Sequence, residues 1–139
     1  MATASRPSLP PRPRAQPRLL VVEDSAFIVM ALESVCAALG WAMVGPAASL
    51  RHGLALAEAG GQDAALLDVS LGQDWAWPIA TLLQAQGTPF AFATGHDLSA
   101  ALPAEFAGVP VLRKPYRHSQ LEAALTAMLA QRPRAELPA

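Results

Sequence analysis

The chain has 139 residues, a formal net charge of −1 and a hydrophobic fraction of 53%. This length accommodates one folded domain with a buried core, and the apolar composition excludes a wholly disordered protein. No apolar run reaches the roughly 18 residues of a membrane span, and the single cysteine, Cys36, excludes an internal disulfide. Because the N-terminus lacks the apolar segment of a signal peptide, we expect a cytoplasmic protein with no membrane partner.

Proline and arginine are concentrated in the first 17 residues, which contain five prolines, three arginines and no acidic residue. We predict that 1–17 and 132–139 are disordered tails on either side of one domain at 18–131. That domain contains five basic and ten acidic residues, a charge of −5, whereas a nucleic-acid-binding domain has a basic face. We therefore expect no nucleic-acid partner. The arginines of the first tail suit an acidic partner, although a solvated tail is the simpler interpretation.

The first half of the domain alternates between strand and helix patterns. Residues 19–22 form a continuous apolar run, typical of a strand buried on both faces. Apolar residues recur at helical spacing over 28–39, a segment that contains Cys36, and Gly40 is suited to end this helix. A second strand is predicted over 42–44, and Ser49 is a suitable N-cap for a helix that extends to about residue 58.

The second half continues the same alternation. Strands are predicted over 64–67, 90–93 and 109–112, and helices over 78–86, 98–106 and 118–130. Five strands alternating with five helices predict an α/β fold in which a parallel sheet is covered on both faces. Because ligands of such sheets bind beyond the carboxyl ends of the strands, functional residues are expected there.

Acidic and polar residues stand at the predicted carboxyl ends of four strands: Glu23 and Asp24, Asp68, Thr94, and Lys114. Three carboxylates in one pocket stay ionised only beside a cation, and carboxylate oxygens suit Mg²⁺. A carboxylate beside Mg²⁺ and a lysine is suited to attack phosphorus, because both cations offset charge on the phosphoryl oxygens. Each residue alone is ordinary turn or helix-start composition, so the prediction depends on their joint spacing.

On the basis of these residues and their spacing, the sequence resembles the receiver domains of response regulators. The resemblance extends from about Arg18 to Leu129, and the matching stretches are LLVVEDS at 19–25, ALLDVSLG at 65–72, FAFATGHD at 90–97 and VLRKPY at 111–116. It implies a flavodoxin-like, doubly wound sheet with strand order 2-1-3-4-5 and five helices. It also implies that Asp68 is phosphorylated by a histidine kinase or a histidine phosphotransfer protein. Beyond this self-phosphorylation and autodephosphorylation, no enzyme activity is expected.

The resemblance also implies a role for each residue of the pocket. Asp24 binds Mg²⁺ directly, Glu23 acts through water, and Asp68 and the backbone carbonyl of Ser70 complete the protein ligands. The residues implied to contact the phosphoryl group are Thr94 and Lys114. The bond between Lys114 and Pro115 is implied to be cis, a conformation that is uncommon before proline.

Two departures from the family pattern concern signalling. Phe92–Gly95 matches a subgroup with a FATGUY motif, but His96 and Asp97 replace the expected hydrophobic and aromatic residues. Val111 occupies the position, three residues before the lysine, where most receivers have a Tyr or Phe that rotates inward. We therefore expect signalling through Gly95, the helix that follows it and Tyr116, with His96 tuning attack by water on the phosphoaspartate.

Other residues support weaker predictions. His52, His96 and His118 lie in separate elements without neighbouring ligands, so we expect no transition-metal site. Trp75 and Trp77 follow Asp68 closely. A packing role for the two tryptophans, such as stapling the start of a helix, is favoured over a partner-binding edge.

Three functions remain open from the sequence. The first is a phosphorylation-controlled module that relays a phosphoryl group or binds a downstream protein target. The second is a receiver-like scaffold that never uses phosphate, which the complete acidic set disfavours. The third is a small hydrolase or nucleotide-binding enzyme, disfavoured because no glycine-rich phosphate loop or nucleophile elbow is present.

Overall fold

A computed structural model describes residues 16–95 and 101–131. Residues 1–15 of the predicted tail at 1–17, the predicted tail at 132–139, and His96 and Asp97 lie outside these ranges. No helix within the described ranges is long and apolar enough to cross a membrane.

Five parallel strands form the central sheet in the order β2-β1-β3-β4-β5, which confirms the predicted topology. The strands are β1 (Arg18–Val22), β2 (Ala42–Ala47), β3 (Ala64–Asp68), β4 (Phe90–Thr94) and β5 (Val111–Arg113). The apolar run of β1 is buried on both faces, with Leu20 and Val22 in one core cluster and Leu19 and Val21 in the other. Both faces of the sheet are therefore covered, as the continuous apolar pattern predicts.

Four α-helices are present in the described residues: α1 (Ala26–Leu39), α2 (Leu50–Ala59), α3 (Trp77–Gln86) and α4 (His118–Gln131). Ser49 accepts a hydrogen bond from the His52 N–H as the N-cap of α2, and Gly40 ends α1 in the left-handed region, with φ 80°. Cys36 is buried on α1. These three predictions are confirmed, because caps and apolar spacing are local properties of the sequence.

The predicted fifth helix, at 98–106, is wrong for its described part. A short 3₁₀ helix, Ala104–Phe106, follows Pro103, which occupies its N-cap position. Proline in the interior of a helix removes a backbone donor and disfavours the helical conformation of the preceding residue, so an α-helix does not pass through Pro103.

Two strands have bounds that differ from the predicted ones. Strand β5 begins later because of a proline, and strand β2 ends later. Pro110 lies inside the predicted strand 109–112, but ladder pairing begins at Val111. The carbonyl of Pro110 accepts a hydrogen bond from the Phe92 N–H at 2.9 Å, whereas its nitrogen has no hydrogen to donate. In β2 the ladder continues past residue 44 because the pairing resumes, after an irregularity, between Val22 and Ala47.

A hairpin that the sequence analysis did not predict lies between Asp68 and α3. Its strands, Ser70–Leu71 and Asp74–Trp75, are antiparallel, and Gly72 has a φ of 65° at the turn. This positive φ favours glycine because other residues meet steric strain there. The hairpin carries the chain from the end of β3 to the first turn of α3, where Pro78 lies as predicted.

Candidate functional site

The carboxyl ends of β1, β3, β4 and β5 bring the predicted residues to one edge of the sheet. Asp68 and Thr94 are the last residues of β3 and β4, and both are buried. The backbone N–H of Lys114 donates to the carbonyl of Thr94 at 2.8 Å, which ties the residue after β5 to the end of β4. The parallel register therefore places side chains that are up to 91 residues apart in sequence in one pocket.

Three carboxylates converge at this edge. Glu23, Asp24 and Asp68 each offer an oxygen, and these oxygens all lie within 4.8 Å of one another. Only 4% of Glu23 and 6% of Asp68 is exposed, whereas Asp24 is exposed to solvent. The buried pair thus forms the floor of the pocket and Asp24 its open side.

The ammonium of Lys114 lies between the two buried carboxylates. Its Nζ is 3.0 Å from Glu23 Oε1 and 3.0 Å from Asp68 Oδ2. The backbone N–H of Ser25 donates to Glu23 Oε2 at 3.1 Å, and that of Ser70 donates to Asp68 Oδ1 at 3.2 Å. These hydrogen bonds fix the orientation of both carboxylates.

Burial changes the acid–base behaviour of the pocket. Burial raises the pKa of Glu23; the Lys114 contact opposes this shift, and the negative charge of Asp68 adds to it. Burial disfavours the Lys114 ammonium, but its contacts with Glu23 and Asp68 outweigh that effect and raise the pKa of Lys114. Lys114 therefore stays charged at neutral pH.

The donor set fits a divalent cation. Three carboxylates face a single ammonium within the described part of the pocket. Burial raises the pKa of Glu23, and repulsion by Asp68 adds to this shift. Hard oxygen ligands with one open side suit Mg²⁺, which typically binds one or two carboxylates and keeps several waters. Ser70, predicted to supply a carbonyl ligand, lies exposed two residues beyond Asp68.

The residues predicted to take part in switching lie around this pocket. Gly95 follows β4 and is exposed, Val111 is 38% exposed on the edge strand β5, and the peptide bond before Pro115 is cis, as expected. Tyr116 is half-buried, and its hydroxyl is buried without a hydrogen-bond partner among the described residues. Burial, with the charges of Glu23 and Asp68, raises the pKa of Tyr116, so this hydroxyl stays protonated.

An apolar surface beside the pocket was missed by the sequence analysis. On α1, Phe27 is 83% and Met30 is 66% exposed. A cavity of about 430 Å³ is bordered by Phe27, Ile28, Lys114 and Tyr116 among others. The available signal was that Phe27 and Met30 fall outside the apolar spacing that forms the core face of α1.

Of the two tryptophans, Trp77 is packed as predicted, whereas Trp75 is not. His52 and His118 are exposed, and no histidine joins a metal-binding group in the described ranges. Trp77 packs edge-on against Phe92, with centroids 5.4 Å apart, and lies 5.9 Å from Phe106. Trp75 stacks on Trp77 but is 48% exposed.

Comparison by sequence gives no match to a protein-family model or to a curated protein. Comparison of structures shows similarity to SdrG from Sphingomonas melonis Fr1, with 39% identity and a TM-score of 0.72 over 83% of this chain and 98% of SdrG. A structure of the BeF3-activated conformation of SdrG, from Pseudomonas melonis Fr1, has 38% identity and a TM-score of 0.68 over 81% of this chain and 95% of that one.

Two more distant structures share the fold. A response regulator receiver protein from Sinorhizobium medicae WSM419 has 20% identity and a TM-score of 0.72, over 84% of this chain and 97% of that protein. The receiver domain of sensor histidine kinase PA1611 from Pseudomonas aeruginosa PAO1 has 22% identity and a TM-score of 0.72, over 84% of this chain and 99% of that domain. Its structure contains a magnesium ion coordinated in the active-site cleft.

Proposed function

Because this chain belongs to the receiver domains of response regulators, we propose that it accepts a phosphoryl group on Asp68 from a histidine kinase or a histidine phosphotransfer protein. The observation that carries the proposal is the position of Lys114 Nζ, 3.0 Å from Asp68 Oδ2, in a pocket with two further carboxylates. A buried carboxylate held beside a fixed cation and a set of metal-binding oxygens suits attack on phosphorus.

The chain supplies the nucleophile and part of the charge compensation. An oxygen of Asp68 forms a bond to phosphorus while the bond from phosphorus to the donor's imidazole nitrogen breaks, and the imidazole leaves with that electron pair. Lys114 stabilises the negative charge on the phosphoryl oxygens as the new bond forms. We expect the hydroxyl of Thr94, the last residue of β4, to donate a hydrogen bond to the bound phosphoryl group.

Glu23, Asp24 and Asp68 are the side chains that would hold Mg²⁺, together with the carbonyl of Ser70. When bound, the ion offsets charge on the transferring phosphoryl group as a Lewis acid. Asp24 is exposed and therefore accessible to an ion from solvent, while the hydrogen bonds to Glu23 and Asp68 keep their oxygens in place.

Phosphorylation would alter the contacts around Asp68, and we propose that this change controls binding of a downstream protein target or relay of the phosphoryl group. A phosphoryl group adds negative charge and new acceptors, which compete with Glu23 for Lys114 and engage Thr94. Because Lys114 N–H is bonded to the Thr94 carbonyl, movement of either residue reaches both the end of β4 and the segment after β5. Apart from autodephosphorylation, no further catalytic activity is proposed.

The test of this function is labelling of the purified chain by acetyl phosphate with and without Mg²⁺. We expect stoichiometric, acid-stable and alkali-labile labelling that requires Mg²⁺ and that excess EDTA prevents. Labelling that is absent at every Mg²⁺ concentration would favour the alternative function, a scaffold of receiver fold that binds partners without phosphate.

Asp24→Asn is expected to raise the Mg²⁺ concentration needed for half-maximal labelling by about 10-fold or more, because it removes one anionic ligand from the open side of the site. The measurement is the initial labelling rate across a Mg²⁺ titration. Glu33→Gln is the control, since Glu33 is an exposed carboxylate on α1 outside the acidic cluster. An unchanged titration midpoint in Asp24→Asn would exclude Asp24 as a ligand.

Phe27→Ser is expected to slow phosphotransfer from a protein donor by about 5- to 30-fold, which corresponds to about 1–2 kcal/mol of lost interface contact. Phe27 is almost wholly exposed and lies beside the cavity at Lys114, so it is placed to contact a partner that reaches Asp68. Labelling by acetyl phosphate, which needs no protein interface, is the control and should be unchanged. Equal slowing with both donors would contradict a docking role.

A further inference from the structure

An exposed aromatic surface is present on the hairpin that follows Asp68. Trp75 is 48% exposed, and its ring stacks on Trp77 with centroids 5.4 Å apart and planes inclined by 9°. Trp77 is held in turn by Phe92 and Phe106. Because this stacking holds one face of the Trp75 ring against the core, its exposed part has a fixed position from which it can contact a ligand.

A groove with acidic and apolar residues lies beside the same hairpin. Asp74, the neighbour of Trp75 in the hairpin, borders this groove of about 470 Å³ between the hairpin and α2. The α2 side of the groove contains the apolar residues Leu50, Leu54 and Ala55, and the charged residues Arg51 and Glu58. Two acids against one base give the groove a net negative charge. We name Trp75 and this groove together the hairpin platform.

The N-terminal segment of the same chain has complementary chemistry. Residues 6–14 read RPSLPPRPR, with four prolines, three arginines and no acid. Proline-rich segments favour the extended polyproline II conformation, and grooves lined by aromatic side chains bind this conformation. Arginine adds ion pairs with carboxylates and stacking on tryptophan. The domain at 18–131 has a charge of −5, from five basic and ten acidic residues, which attracts the cationic segment.

The segment is also long enough to reach the platform. The described chain begins at Gln16, just before β1, while the hairpin follows the carboxyl end of β3, so the path runs along the length of the sheet. The five residues of β1 span about 17 Å. The ten residues from Arg6 to Ala15 span about 30 Å in polyproline II geometry. This span exceeds the length of β1, so the first residues of the segment can reach the hairpin.

We propose that residues 6–14 bind the hairpin platform of their own domain, with prolines on the ring of Trp75 and arginines paired with Asp74 and Glu58. Binding covers the ring of Trp75, seven residues after Asp68, so the N-terminal segment competes with any partner for that surface. The contact requires neither Mg²⁺ nor phosphate. Its success or failure is therefore separate from that of the proposed phosphoacceptor function.

A paramagnetic label tests the proposal on the full chain. Ser8→Cys carries a nitroxide in a Cys36→Ala background, and the ¹⁵N indole signals of the three tryptophans are observed. Trp41 is the internal control, because the Ala42 N–H bonds the Pro17 carbonyl at 2.8 Å, which places Trp41 near the point where the segment joins the domain. A segment that does not dock would broaden Trp41 more than Trp75. Docking is expected to broaden Trp75 at least as strongly as Trp41.

Arginine variants test whether the contact depends on the charges of the segment, and a mixture of differently labelled chains tests whether it is intramolecular. Arg12→Ser with Arg14→Ser is expected to restore the Trp75 signal, while Arg113→Ser, which removes one exposed positive charge from β5, should leave it broadened. Broadening of Trp41 alone would overturn the proposal. Broadening of Trp75 in a mixture of spin-labelled, unenriched chains with ¹⁵N-enriched, unlabelled chains would also overturn it, because the segment would then bind a second copy.

Discussion

Asp68→Asn is expected to abolish phosphorylation of the chain by acetyl phosphate. The carboxylate is buried at the end of β3, and its Oδ2 lies 3.0 Å from Lys114 Nζ. Asparagine retains the shape of the side chain but its amide is a poor nucleophile, so the bond to phosphorus does not form. The measurement is incorporation of the phosphoryl group, read by intact mass or by a radioactive label, at saturating Mg²⁺.

A second aspartate provides the matched control for this result. Asp74→Asn removes an exposed carboxylate from the hairpin six residues further along and should leave labelling at the wild-type level. Circular dichroism of both variants establishes that the fold is intact. Full labelling of Asp68→Asn at wild-type rate would show that another group is the acceptor, and the proposed function would then be wrong.

Lys114→Gln is expected to slow labelling by about 100- to 1000-fold, the typical effect of removing one group that stabilises charge in a transition state. Lys114 forms the ion pairs recorded with Glu23 and Asp68, so no other described side chain replaces its charge. Glutamine keeps a hydrogen-bond donor but no positive charge. The measurement is the single-turnover rate at saturating Mg²⁺ and acetyl phosphate.

The same substitution is expected to lower the free energy of unfolding by about 1–3 kcal/mol, because Glu23 and Asp68 lose a partner while they remain buried. Added Mg²⁺ should restore part of this loss by binding the carboxylates. Arg113→Gln is the control, since it removes a positive charge from the adjacent exposed position. If Arg113→Gln slowed labelling equally, the effect would reflect general charge and not the contacts of Lys114.

The sequence by itself determined most of the framework. The strands β1, β3 and β4 are short apolar runs buried on both faces, a pattern typical of the strands of a parallel sheet. Ser49 and Gly40 mark helix ends through local hydrogen bonding and local backbone conformation. Because parallel strands end at one edge, the chain positions of Glu23, Asp68 and Thr94 were sufficient to predict that they converge.

The predictions of secondary structure were wrong where an apolar pattern and a proline occur in the same segment. Apolar residues at 98–106 and 109–112 suggested regular elements, but Pro103 and Pro110 restrict the backbone and remove donors. The observed 3₁₀ helix and the later start of β5 follow from those prolines. The hairpin at Ser70–Trp75 was missed because strands of two residues carry no readable periodicity.

Only the tertiary structure decided which residues of the site are buried and which face solvent. Glu23 and Asp24 are adjacent in sequence, yet one is buried against Lys114 and the other faces solvent. Which of the two lies inward depends on the packing of α1 against the sheet, and that arrangement involves contacts from distant parts of the chain. The stacking of Trp75 on Trp77 and the exposure of Phe27 depend on such contacts in the same way, because burial is a property of the assembled layers and not of any single segment.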